Sequence, residues 1–116
     1  MNNVEYAKAI QRPSKIESSK SGFFIYNYDI QETTDPVNKY TYLPVEIEGE
    51  PTYKKCSKAV IEAFYEPNQE FDYINTILKS IFSADSESKT VAEAEYEAYR
   101  SKVAEIKTKV KEDFAD

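Results

Sequence analysis

Histidine and tryptophan are absent from this 116-residue chain, cysteine occurs once and glycine twice. Without histidine, the Ser-His-Asp and Cys-His arrangements, histidine general-base chemistry and most zinc sites cannot be assembled. Two glycines are too few for the phosphate-cradling loops G-x-x-x-x-G-K-[ST] and G-x-G-x-x-G. The lone Cys56 cannot close an internal disulfide, so the signature of an oxidising compartment is missing. No apolar run approaches the roughly 20 residues that span a bilayer, so no membrane association is expected. Met1-Asn2-Asn3-Val4-Glu5-Tyr6 also lacks the basic-then-apolar pattern of a secretory signal. The expected location is the cytoplasm of the producing cell or a particle assembled there. No catalytic residue, metal ligand or cofactor is expected.

Acid and tyrosine are what the chain has instead. Its 21 acidic and 15 basic side chains leave a net charge of −6. Residues 22–50 alone carry −5, whereas residues 1–21 carry +2. Duplex binding needs clustered Lys and Arg, so direct nucleic-acid contact is not expected. The acidic middle does suit a second reading, an inhibitor that mimics nucleic acid and blocks a host defence protein. Glu46 and Glu48 alternate on one strand face and could in principle hold a cation or act as an acid–base pair. No D-x-[DN]-x-[DN]-G loop accompanies them, and a solvated strand face that resists unwanted pairing accounts for the same spacing. An enzyme working through carboxylates alone ranks third.

One domain fits this length. With 41% hydrophobic residues and a mean hydropathy of −0.67, a core forms while part of the chain stays outside it. Residues 1–21 read as a flexible N-terminal arm, serine-rich after Pro13. In 23–31 the Phe24, Tyr26, Tyr28, Ile30 alternation predicts a strand, and 39–48 predicts a second with Leu43, Val45 and Ile47 inward. Asp35-Pro36 suits the turn between them, and Pro44 makes the second strand an edge or places a bulge in it. Thr52 is the expected N-cap of a helix through Tyr53, Cys56, Val60, Ile61 and Phe64. Pro67 and Asn68 separate it from a second helix whose Phe71, Ile74, Leu78 and Ile81 step 3, 4, 3. This helical hairpin and the β-hairpin are expected to bury each other within an α+β core over 22–82.

Residues 83–89 read as a polar linker, and Thr90-Val91-Ala92-Glu93 spells a capping box opening a C-terminal helix over 90–116. In that helix Ala92, Tyr96, Tyr99, Val103, Ile106 and Val110 keep a period of 3.5, narrow enough for a coiled-coil seam or for docking along another helix. Packing on its own domain is the alternative. Four of the ten tyrosines, Tyr26, Tyr28, Tyr40 and Tyr42, fall on the β-hairpin. A large ring with a polar tip suits protein interfaces, although cross-strand packing accounts for the same pattern. The interface candidates are therefore Tyr26, Tyr28, Tyr40, Tyr42, Tyr96, Tyr99, Val103, Ile106 and Val110. Cys56, on the apolar stripe of its helix, reads as a buried structural thiol.

Gly49-Glu50-Pro51-Thr52-Tyr53 running into Ala59-Val60-Ile61-Glu62-Ala63-Phe64-Tyr65, then Glu70 and Ile74-Asn75, resembles small proteins encoded near head and tail genes of bacteriophages and prophages, especially those of Bacteroidetes hosts. Glu95-Tyr96-Glu97-Ala98-Tyr99-Arg100 adds to the likeness, since similar E-Y-x-x-Y-R helices close some phage tail-fibre assembly proteins. Together these stretches touch roughly the C-terminal two-thirds of the chain. The resemblance implies a non-enzymatic virion structural or assembly protein, with other virion or assembly proteins as partners in a homo-oligomer or hetero-complex. It transfers no functional residue, and it places the chain in the virion or in the bacterial cytoplasm during assembly.

Overall fold

The computed structural model describes residues 1–83 and 86–115. The chain is an α+β protein of four antiparallel strands and three helices. The strands are β1 (Ala7–Ala9), β2 (Ile16–Ser18), β3 (Phe23–Glu32) and β4 (Tyr40–Glu48); the helices are α1 (Tyr53–Phe64), α2 (Gln69–Ser83) and α3 (Ser86–Asp113).

The sheet order β1-β4-β3-β2 is a Greek-key arrangement: β2, β3 and β4 form a meander, and β1 lies beside β4. Residues 1–21 are therefore not an arm. They supply both edge strands, Ala7–Ala9 on Tyr40–Tyr42 and Ile16–Ser18 on Phe24–Tyr26. The polar composition that suggested a linker belongs to edge strands and to the connection 10–15, which passes from one edge to the other. That connection offers the Ser14 carbonyl to Asn27 Nδ2 at 2.7 Å and the Lys15 carbonyl to the Asn27 N–H at 2.8 Å, which buries Asn27 on the face opposite Tyr26 and Tyr28. At the very start, Asn2 donates from its N–H to the Phe64 carbonyl and from Nδ2 to the Ala63 carbonyl, satisfying the open end of α1.

The β2–β3 turn closes with the Phe23 N–H on the Lys20 carbonyl at 2.9 Å, and Gly22 takes φ 78°, a conformation that favours glycine. In the β3–β4 loop Asp35 Oδ1 accepts from the Val37 and Asn38 N–H groups, as an Asp before Pro does in such turns. β4 is interior by order, but β1 accompanies it only as far as Tyr42. Pro44 opposes Asn27, whose N–H points away from β4, so the donor that Pro44 lacks faces the stretch that β1 has already left. The irregularity falls in β3 instead: pairing skips between Tyr28 and Gln31, and Asp29 takes φ 53°.

Helix α1 starts where expected, Thr52 accepting from the Lys55 N–H at 3.2 Å. It packs on β4 and on α3, so Leu43, Val45 and Ile47 meet Cys56, Val60 and Phe64 in the core. α2 does not pair with α1 as a helical hairpin. The bend at Pro67 and Asn68, the latter at φ 69°, sends it along α3 instead. α3 is 28 residues long, about 42 Å at helical rise. Its C-terminal half lies over the sheet and its N-terminal half pairs with α2. Of the expected linker 83–89, Ser83 closes α2 and residues 86–89 are already helical; Ala84 and Asp85 lie outside the described residues. Thr90 thus sits within α3 rather than at its start, because residues 86–89 before it are themselves helical, with a Lys89–Glu93 pair at 3.8 Å across one turn. The result is a molecule of 54 × 35 × 26 Å with a radius of gyration of 17.5 Å, against about 13 Å for a compact chain of this size.

Candidate functional site

Tyr26 and Tyr28 are 0% exposed. Their side chains point from β3 toward the helices, where the Tyr26 ring lies 6.1 Å from Phe114 and the Tyr28 ring stands edge-on to Phe64 at 6.5 Å. Tyr26 donates its hydroxyl to the Asp113 carboxylate, which also meets Lys15 Nζ at 3.6 Å. Burial, reinforced by that hydrogen bond and the charge of Asp113, pushes the Tyr26 hydroxyl far above its ordinary value. Burial does the same to Tyr28. At the β3 bulge, Asp29 accepts from Tyr6 at 3.3 Å and pairs with Lys109 at 3.3 Å, and burial together with Asp29 raises Tyr6 to about 12.

Ile106 and Val110 belong to the same core as Tyr26 and Tyr28. These four interface candidates hold the chain together from within, because β3 and the C-terminal half of α3 face each other. Val103 is half-buried. Tyr99 stands edge-on to Tyr65 at 4.7 Å and lies 5.8 Å from Tyr73, and Tyr96 donates to Glu70 at 3.0 Å. With the buried Ala92, they make the seam between α3 and α2, so the 3.5-residue stripe is filled by the chain's own elements rather than by a partner helix. Tyr40 and Tyr42 are half-buried on the sheet face turned away from the helices, with the Arg12 guanidinium 6.0 Å over the Tyr40 ring.

The acidic groups are dispersed. Glu46 and Glu48 are exposed, with Lys20 3.9 Å from Glu46, and Asp29 is already held by Lys109. Among the described residues no group of three or more His, Cys, Asp or Glu could hold a metal ion. Cys56 is fully buried, and burial raises its thiol to about 11, so it stays protonated and poorly nucleophilic. No described helix is long and apolar enough to cross a membrane.

The unsatisfied surface is on α2. Phe71 (62% exposed), Ile74 (38%), Leu78 (48%) and Ile81 (52%) form one outward stripe, and Phe82 at its end is 88% exposed. Tyr73 and the buried Ser80 face α3, so α2 has two apolar sides and only one is covered. At the root of the stripe, Phe71 and Ile74 join Ile61, Tyr65 and Tyr99 around a groove of about 600 Å³ between α1 and α2. The 3-4-3 spacing of this stripe is legible in the sequence; its exposure is not. The available signal is that α2 carries more apolar surface than one neighbouring helix can cover. Chemically, the ridge offers a desolvation-driven contact for another helix and no reactive group.

No protein-family model, curated protein or solved structure matches the chain.

Proposed function

We propose that this chain is a non-enzymatic protein that works by binding other proteins, and that it serves as a structural or assembly component of a bacteriophage virion. The observation that carries the binding role is the exposed stripe Phe71, Ile74, Leu78, Ile81 and Phe82 on a helical projection that stands off the sheet. Leaving so much contiguous apolar surface in water is costly for a chain with no other use for it, and such patches mark interaction sites. The virion context rests on the resemblance of the Gly49–Tyr65 and Glu95–Arg100 stretches to phage head- and tail-gene neighbours. The nucleic-acid-mimic reading has less support, since Asp29 and Glu46 of the acidic segment are engaged by lysines of the same chain.

Mass spectrometry of purified phage particles and assembly intermediates from cells encoding the chain tests the proposal. The chain is expected in one or both, at a fixed ratio to other components. Its absence from both, with normal particle yield after deletion of its gene, rules the virion role out.

A further inference from the structure

The ridge on α2 runs from a recess to a projection. Its N-terminal end, Phe71 and Ile74, borders the groove walled by Ile61, Tyr65 and Tyr99, and its C-terminal end presents Ile81 and Phe82. Along the helix these ends are about 16 Å apart. Building on the binding role proposed above, we infer that the ridge is covered by α2 of a second copy of this chain, laid antiparallel about a two-fold axis at the height of Thr76.

The stripe defines the register. With the axis at Thr76, Phe71 of one copy faces Ile81 of the other and Ile74 faces Leu78, and each contact occurs twice, as an isologous interface requires. Ile81 and Phe82 of each copy then arrive at the grooved end of the other, so the projection of one copy meets the recess of the other at both ends of the seam. A heterologous partner would have to supply both features itself; here each copy carries both, the projection on α2 and the recess where α2 meets α1 and α3.

Charge selects the same orientation. The charged residues of α2 are Glu70 and Asp72 in its first turn and Lys79 near its end. Antiparallel pairing brings Lys79 of each copy to within one residue's rise of Asp72 of the other on one side of the seam and opposes the two helix dipoles. Parallel pairing would set acid beside acid. The stripe itself is uncharged, and it exposes on the order of 500 Å² of side chain per copy. The groove walls carry the contact toward the ~800 Å² per partner of a stable interface. With α3 behind each α2, the product is a four-helix bundle holding two sheet domains at its ends.

Sedimentation velocity of the full chain at micromolar to sub-millimolar concentrations reads this directly. The wild type is expected to move from a 13.4 kDa species to one of twice that mass. The double variant Ile74→Asp/Leu78→Asp, altered only at exposed positions, is expected to stay monomeric with an unchanged circular dichroism spectrum. Lys79→Glu is expected to weaken association roughly three- to tenfold, and adding Asp72→Lys to restore it. A wild type that stays monomeric throughout overturns the inference, as does a dimer that survives the double substitution; failure of the charge reversal overturns the antiparallel register. A monomeric wild type that binds a particle protein through Ile74 and Leu78 removes the second copy and keeps the binding role. A monomer without any such binding removes both.

Discussion

The two ends of α3 live in different surroundings. Its C-terminal half closes over Tyr26, Tyr28, Val45 and Val60 with Ile106 and Val110, so its apolar face is buried and its outer face is polar. Its N-terminal half lies along α2, across a seam of Tyr73, Tyr96, Tyr99 and Ala92 that Tyr65 joins at one end, and the far side of α2 is exposed. One helix thus joins a body whose apolar residues are used up in folding to a projection whose apolar residues are not. Apolar periodicity alone does not distinguish the two uses. What distinguishes them is how many neighbours the chain can bring to each face.

If that contrast holds, substitutions in the body cost stability and substitutions on the ridge cost association. The largest expected effect is at Ile106, where truncation to Ala leaves a cavity under the sheet and lowers unfolding free energy by about 2–5 kcal/mol, measured by urea denaturation. Tyr26→Phe removes the hydroxyl that Asp113 accepts from and should cost about 1–3 kcal/mol by the same measurement.

Tyr26 and its neighbours also give the body a pH signature. Tyr6, Tyr26 and Tyr28 all lose their protons at higher pH in the folded chain than at the ordinary tyrosine value of 10.0. Above about pH 10 the unfolded chain therefore holds fewer protons than the folded one, so stability falls as pH rises. The urea midpoint should decline from that point upward, and the decline should be shallower in Tyr26→Phe. A flat profile would mean that these hydroxyls are not enclosed.

Thr52→Ala, which removes the cap of α1, should cost about 1 kcal/mol. Leu78→Ala comes last, within about 0.5 kcal/mol of the wild type in dilute solution, yet it should weaken self-association measurably in sedimentation. A core-sized loss of stability at Leu78 would erase the distinction between the two regions.

Much of the body was legible beforehand. Alternation placed Leu43, Val45 and Ile47 inward, helical spacing placed Cys56, Val60 and Phe64 on one face, and the 3.5-residue period marked the apolar face of α3 without telling a partner's seam from packing on its own chain. Two things were hidden for a common reason. Ala7–Ala9 and Ile16–Ser18 are three-residue edge strands with too few side chains to show a period, and only long-range pairing with β4 and β3 makes them strands. The exposure of Phe71, Ile74, Leu78 and Ile81 likewise follows from where Pro67 and Asn68 send α2, away from the sheet. Local pattern reports that a face is apolar; tertiary placement decides whether the chain itself covers it. The same placement moved Tyr26, Tyr28, Ile106 and Val110 from the expected interface to the core.

Amide hydrogen exchange of the full chain at low and high protein concentration, read peptide by peptide, addresses the division of labour most directly. Peptides from β3, β4 and the C-terminal half of α3 should exchange slowly and equally at both concentrations, while peptides across 69–82 should gain protection as concentration rises. Protection of 69–82 that matches the body at both concentrations, or a concentration-dependent gain located in the sheet, would contradict the assignment of α2 as the surface left for binding.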